Sequence, residues 1–477
     1  MTTLAFRSSR AAYLQHAGTA TAPLPRRETL AIVSTRSKLC GIAAYTAALR
    51  RQLNQAFDIT VFDLDQYLLR STHRRVRRLG DRHIKEICRA LGGFDAVNLQ
   101  LEHGTLGRDA RDIDRRFGWL VAAAPRLSVT FHTLPPPPGF DGVAFAKAVA
   151  TFKWRDAFRL QAEYRRNRRL AYGITGRLRR TQRWKQVTAI VHNRRDLCDI
   201  KYLYGLRDAF DHPLAFLGNA EAGRAQASRR SLPMLDALPA DAVLVGVFGF
   251  LNEYKGFGTA IQALHHLPEN HHLLLFGGIH PNEIAAHRPI HPYISALFND
   301  AYVETTLYDR ISTPSAESAP ALVLSADRGL GELLGSHPRD LSARIHFMGA
   351  LSDAAFLTGM ALCDAVVLPY LEVGQSSSGP ISQALELGCR IIASRTHTFL
   401  EFAEYHKEAV EFFDIGNHLE LAERILARPQ FSAPRNFPDF NVETNKATYL
   451  LANSRRLSRP DAPTPIHSLA PETAPAG

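Results

Sequence analysis

Twelve short apolar runs cross this chain in two groups of six, with helix-patterned segments between them. Leu30–Ser34, Ile59–Leu64, Ala96–Leu101, Leu127–Phe131, Val187–His192 and Pro213–Leu217 form the first group. Ala242–Phe250, His272–Phe276, Ile345–Met348, Ala365–Pro369, Arg390–Ala393 and Ala409–Phe413 form the second. The segments between include Ile42–Ala56, His83–Leu91, Asp109–Ala124, Arg194–Tyr204, Gly256–Leu267, Asp353–Cys363 and Asn417–Ala427. Apolar strands alternating with helices predict parallel sheets covered on both faces. With 477 residues the chain exceeds the size at which one core keeps growing. The expectation is therefore α/β, with two doubly wound, Rossmann-like domains facing each other across a cleft. Composition places an N-terminal domain at 29–218, a small, polar, Pro-bearing linker at 219–240, and a C-terminal domain at 241–428 with an irregular insertion at 280–340. Residues 429–477 read as a return segment and a disordered Pro-rich tail, and 1–28 as a disordered extension or an organellar transit peptide.

Neither group opens with the G-x-G-x-x-G fingerprint of dinucleotide binding, which disfavours hydride transfer. No apolar run reaches the roughly 18 residues that a membrane-spanning helix needs. The five cysteines are scattered and odd in number, which argues for a reducing compartment and against a disulfide or zinc framework. The net charge of +11 is concentrated. Residues 153–185 hold twelve Lys/Arg against Asp156 and Glu163, and Arg70–Arg89 add eight against Asp81 and Glu86. Trp154, Phe158, Leu160, Tyr164, Leu170 and Tyr172 interleave with the first run, which suits a helix lying on an anionic membrane surface. No nucleic-acid motif accompanies the charge, so a membrane or an acidic ligand ranks above nucleic acid; a solvated basic face is the plain alternative. The expected location is cytoplasmic, peripheral on the inner face of the cell membrane.

Residues 369–394 carry the most specific chemistry. A strand runs into the loop Gln375–Ser376–Ser377–Ser378–Gly379–Pro380, then a helix, then the next strand. A helix start with free N–H groups, hydroxyls and an early proline is an anion site favoured by the helix dipole. An ordinary crossover turn with a Ser cap is the alternative. Glu102–His103–Gly104, at the end of the third strand, supplies a second candidate, for ligand hydroxyls or as a base. Asp63–Leu64–Asp65 lacks a convincing metal context, so no divalent ion and no cofactor is expected.

Four segments, in this order and spacing, resemble retaining glycosyltransferases of the GT-B fold, specifically glycosyltransferase family 4, over roughly residues 29–428. Cys40–Thr46 is similar to the family's glycine loop, which implies that Gly41 approaches the donor phosphates and the acceptor. Val129–His132 resembles the strand that ends in a histidine near the donor sugar. Phe248–Gly256 resembles the segment whose lysine binds the diphosphate, which points to Gly249 and Lys255. Gln375–Ser394 resembles the Glu-x7-Glu motif and its helix; by that likeness Gln375 meets the sugar hydroxyls, Gln383 holds the ribose, and Ser376, Ser377, Ser378 and Gly379 serve the phosphates. The resemblance implies transfer of a hexose, with retention, from a UDP- or GDP-linked donor to a saccharide or lipid-linked acceptor.

Two departures qualify this. Both motif acids are amides here, Gln375 and Gln383, and Phe250 stands where most members carry an arginine. Glu372 and Glu386 are nearby acids, but the glutamine alignment keeps Gly388 and the strand Ile391–Ser394 in register. An amide donates and accepts hydrogen bonds but cannot act as a base. The site therefore either uses the donor phosphate as its own base or belongs to a catalytically weak sugar-nucleotide or glycan-binding homologue.

Overall fold

The computed structural model describes residues 27–36, 40–135, 137–225, 232, 235–279, 292–301, 340–429 and 439–455. The expected N-terminal extension up to residue 26, most of the 280–340 insertion and the tail from 456 lie outside the described residues.

β1 (Glu28–Ser34), β2 (Phe57–Asp63), β3 (Ala96–Leu101), β4 (Leu127–Phe131), β5 (Val187–Val191) and β6 (Ala209–Asp211) form one sheet in the order β2-β1-β3-β4-β5-β6. β7 (Val243–Phe248), β8 (His271–Phe276), β9 (Ile345–Gly349), β10 (Ala365–Leu368), β11 (Ile391–Ser394) and β12 (Glu411–Phe413) form the second, in the order β12-β11-β10-β7-β8-β9. Every ladder between the named strands is parallel, so each sheet is built from crossovers through helices. Leu30, Ala31, Ile32 and Val33 are all fully buried, as a strand covered on both faces requires.

β3 and β4 depart from that pattern. Val97, Leu99, Leu101, Leu127, Val129 and Phe131 join one apolar cluster. With a period of two, the alternate positions Asn98, Gln100, Ser128 and Thr130 fall on the opposite face, buried but polar. The helices used below are α1 (Gly41–Leu53), α2 (Gly142–Ala150), α3 (Trp154–Thr181), α4 (Asp353–Leu362), α5 (Gly379–Glu386) and α6 (Val442–Asn453). α6 returns to the first sheet and packs against α1, β3, β4 and β5, covering the polar face.

Each sheet reverses its winding once, at β1/β3 in the first and at β7/β10 in the second. Ligands of open parallel sheets bind outside the carboxyl ends of strands at such a switch point. The segments after β1, β3, β7 and β10 carry most of the sequence candidates, and His132 directly follows β4.

Several boundaries differ from the sequence reading. Pro213–Leu217 is not a strand; β6 lies earlier, at Ala209–Asp211. Pro213 has no N–H for a ladder, and the N–H groups of Phe216 and Leu217 donate instead to the Glu386 carboxylate, at 2.7 and 3.1 Å. The supposed linker begins as a helix, Asn219–Ala225, and the helix read as His83–Leu91 extends back to Arg74. Glu28, assigned to the extension, already pairs within β1.

Candidate functional site

A cleft of about 600 Å³ opens between the two sheets. On its second-domain wall, Gly249 follows β7 with a φ of +136°, and its N–H donates to Phe276 O at 2.9 Å. A Cβ at Gly249 would meet Lys255 Cε at 3.0 Å, so glycine lets the lysine lie along the backbone. Gly277 faces it with φ +146°, where a Cβ would stand 1.8 Å from Gly249 O.

Lys255 closes the short turn Glu253–Lys255 and is only 5% exposed. Its Nζ sits 3.7 Å from the Tyr370 ring centre and 4.8 Å from that of Tyr254. Burial is the cause that lowers its pKa to about 7. A buried amine that meets aromatic faces rather than a carboxylate is suited to an incoming anion.

α5 starts opposite. Its N-cap Ser378 makes no side-chain cap bond, a proline occupies the first turn, and no acid lies there. Gly379 and Pro380 line the cleft, so the positive end of the helix faces it. Gln375, Ser377 and Gln383 line it too, and the Gln375 Oε1 is buried without a partner. The two competing acids are elsewhere. Glu372 accepts from Gly374 N–H at 2.9 Å and His397 N–H at 2.7 Å, and Glu386 holds the crossing segment described above. The amides, not the acids, therefore face the cleft.

Ser376 and Ser378 turn away from it. Ser376 is buried; its Oγ accepts from Leu134 N–H at 3.2 Å and its carbonyl accepts from Asn193 Nδ2 at 3.0 Å, which ties the loop to the first domain. Ser378 Oγ is 3.3 Å from the Tyr370 hydroxyl. The alternation along the loop leaves Gln375, Ser377 and Gly379 for a ligand.

The first-domain wall brings Gly41, Tyr45, Glu102 and His132 to the same cleft. At Gly41 a Cβ would meet nothing within 4 Å, so the start of α1 is open. Cys40 caps that helix, its Sγ accepting from Ala43 N–H at 3.4 Å. His132 Nε2 is 2.8 Å from Gln100 Oε1. Burial, and then the neighbouring His192, push its pKa well below the usual histidine range, so the ring is neutral at pH 7. The His132 and His192 rings lie 5.3 Å apart, and the Tyr45 ring meets both edge-on. The side chain of His103 lies outside the described residues.

Phe216, Asp353 and Phe356 are among the lining residues that escaped the sequence reading. Asp353 opens α4 just beyond the carboxyl end of β9, a position that could have marked it. Phe250, where the resembling family carries an arginine, lines the cleft. Asp63 accepts from Arg36 N–H, and Asp65 caps the turn at Tyr67 and Leu68, so this pair serves the backbone. Among the described residues no cluster of three or more His, Cys, Asp or Glu could hold a metal ion.

No protein-family model and no curated protein matches the chain. Solved structures do. Anabaena HepE in complex with UDP and glucose shares 14% identity and a TM-score of 0.53, over 89% of this chain and 98% of that one. The α,α-trehalose 6-phosphate synthase of Burkholderia multivorans shares 12% identity and a TM-score of 0.54, over 89% and 96%. Sucrose-phosphate synthase from Thermosynechococcus elongatus shares 16% identity and a TM-score of 0.50, over 89% and 95%. The fold is GT-B. In GT-B terms, the cleft described above is the space between the two Rossmann-like domains, and both of its walls are strand ends at switch points.

Proposed function

We propose that this chain is a retaining glycosyltransferase that moves a hexose from a UDP- or GDP-linked donor to a saccharide or lipid-linked acceptor. One observation carries the reading: Lys255, a buried amine whose Nζ lies over the Tyr370 and Tyr254 rings, and the uncapped start of α5 share one cleft. A departing diphosphate needs such donors. Support comes from the neighbouring HepE structure, which holds UDP and glucose.

The domain division at 219–240 belongs to the same reading. The chemistry divides as follows. The donor C1–O bond breaks and its electron pair leaves with the diphosphate. The acceptor oxygen bonds to C1 on the same face, and its proton passes to the departing phosphate oxygen. Lys255 and the α5 N–H groups stabilise the charge on the leaving diphosphate. Gln375, with its unpaired Oε1, binds sugar hydroxyls; Gln383 binds the ribose; neutral His132 lies beside the donor sugar, and Glu102 serves the acceptor side.

A second reading rests on Gln375 and Gln383: two amides where the resemblance expects acids favour a sugar-nucleotide binder that does not transfer. Transfer and donor hydrolysis measured across UDP- and GDP-sugars separate the two. Turnover of any donor, lost in Lys255→Ala, supports the transferase. Donors that bind without turnover leave the binder.

A peripheral membrane role fits the first domain. Phe140, Val143, Phe152, Trp154 and Phe158, around the α2–α3 corner, are 45–82% exposed. Arg155, Arg159, Arg165, Arg166, Arg168 and Arg169 are exposed along the same helix. Exposed rings flanked by arginines match an anionic lipid surface on the cytoplasmic face. Among the described residues no helix is long and apolar enough to cross a membrane.

A further inference from the structure

We propose that α6, at the far end of the chain, fixes the tautomer of the cleft histidine His132 through a polarised chain of hydrogen bonds across β3 and β4, which makes Asn453, Ser128, Asn98 and Gln100 positioning residues. The inference rests on His132 serving the proposed donor site.

The chain has one direction, and it can be read from its far end. Asn453 Nδ2 donates to Tyr449 O, one turn back in α6, at 2.8 Å. Its amide orientation is thereby set, and its Oδ1 accepts from Ser128 Oγ at 2.7 Å. The Ser128 hydroxyl, having donated, accepts from Asn98 Nδ2 at 2.7 Å. Asn98 Oδ1 accepts from Gln100 Nε2 at 2.5 Å. Gln100 is then left with only an acceptor, Oε1, for His132 Nε2 at 2.8 Å. The ring nitrogen at that position must carry the hydrogen, and Nδ1 keeps the lone pair.

A side branch supports the same order. Thr130 Oγ1 accepts from both Gln100 Nε2 and Asn98 Nδ2 at 3.3 Å, so its own hydrogen goes to the Tyr449 hydroxyl at 2.9 Å. Reversing one amide would set donor against donor or acceptor against acceptor at its neighbours. Asn98, Gln100, Ser128, Thr130, Tyr449 and Asn453 are each no more than 1% exposed. None of them leaves a buried polar atom unpaired.

Apolar residues of similar volume would cover this face without needing any of these bonds, and such replacements are often neutral or stabilising, so stability does not by itself account for this network. A network that is fully paired, directional and ends on a cleft residue controls that residue. The anchor is itself held firmly: Asn441 and Thr444 form a reciprocal capping box at the start of α6, and Asn445 meets Tyr45 and Gln52 at 3.2 and 2.8 Å.

The test is long-range nitrogen–proton NMR of the full chain, selectively labelled at histidine, at pH 7.5 without substrate. The wild type is expected to show His132 as the Nε2–H tautomer. Asn453→Leu removes the terminal acceptor and should give a mixture of tautomers, whereas Asn453→Asp, kept neutral by burial with its O–H donating to Tyr449 O, keeps the acceptor for Ser128 and should restore the wild-type pattern. Ser128→Ala cuts the chain at a second point and covers the case in which Asn453→Leu does not fold. An Nδ1–H tautomer in the wild type, or an unchanged ring in both folded variants, overturns the proposal. In a transfer assay Asn453→Leu and Ser128→Ala should lower kcat about tenfold while donor KM stays within about twofold, and Asn453→Asp should stay near the wild-type kcat. A chain that holds the tautomer and responds to the variants, yet transfers no sugar, upholds the relay and overturns the transferase reading.

Discussion

The Nζ of Lys255 lies 3.7 Å from the centre of the Tyr370 ring, where burial rather than any neighbouring charge governs its ionisation. Such a group weakens the folded protein and strengthens its complex with an anion. Lys255→Met should therefore melt at or above the wild-type temperature without ligand. The same variant should bind UDP-sugars about ten- to 150-fold more weakly, the equivalent of one charge-assisted hydrogen bond of about 1.5–3 kcal/mol. Calorimetry and thermal melts check both signs together. Unchanged donor affinity in Lys255→Met would remove the lysine from the site.

On the proposed function, the same lysine should make donor binding depend on pH. Its folded pKa of about 7 lies below the ordinary value of 10.5. Between those values the unfolded chain binds more protons, so this group's contribution to stability rises with pH through that window and is least favourable below 7. A bound diphosphate restores the charged form. Binding at pH 8 should take up close to one proton, and affinity should weaken from pH 7 to pH 9. Titration calorimetry in two buffers of different ionisation enthalpy reads the uptake. Heats that do not depend on buffer would mean that Lys255 is already charged before the donor arrives.

Much of this architecture was legible because strands buried on both faces are written as apolar runs, and their order follows from the helices between them. Leu30–Val33 and Val187–Val191 show the rule directly. Pro213–Leu217 has the same apolar look but meets Glu386 rather than a strand, a contact across 169 residues or more that no local pattern carries. Ser376 and Ser378 looked equivalent to Ser377, yet loop geometry alternates them away from the cleft. The polar face of β3 and β4 was hidden for the same reason as the Glu386 contact. Asn98 and Gln100 make sense only once α6, over 300 residues later, is laid across them.

Two glycines should respond in opposite ways. In Gly277→Ala the new Cβ would stand 1.8 Å from Gly249 O at a φ of +146°, so the strand ends beneath Lys255 must move apart. The cost should exceed about 2 kcal/mol and appear as a lower Tm. Gly41→Ala meets nothing within 4 Å and should leave Tm unchanged, while its methyl group crowds a ligand at the start of α1. Equal melting of the two variants would contradict the packing of the β7 and β8 ends.

Gln383 and Glu386 lie one helical turn apart and should separate binding from stability. Glu386→Ala leaves the N–H groups of Phe216 and Leu217 without their acceptor, a loss of about 1–3 kcal/mol in chemical denaturation. Gln383→Ala should denature like the wild type and bind UDP-sugars more weakly. Swapped phenotypes would place the motif acid at Glu386 after all.

The α2–α3 corner predicts where the chain meets lipid. Phe152, Trp154 and Phe158 are 78%, 51% and 69% exposed, and each would contribute up to about 1.5–3 kcal/mol on full burial. Replacing all three by serine should weaken binding to phosphatidylglycerol vesicles at least tenfold, since even one fully seated ring contributes about that much. Raising sodium chloride from 50 to 500 mM should weaken the wild type as well, because screening shortens the reach of the exposed arginines. Replacing Arg165, Arg166, Arg168 and Arg169 by glutamine should flatten that salt dependence while the apolar contribution remains. Co-sedimentation across the salt series reads all three results. Equal binding to neutral phosphatidylcholine vesicles, or a triple variant that sediments like the wild type, would mean that this corner does not dock on an anionic membrane.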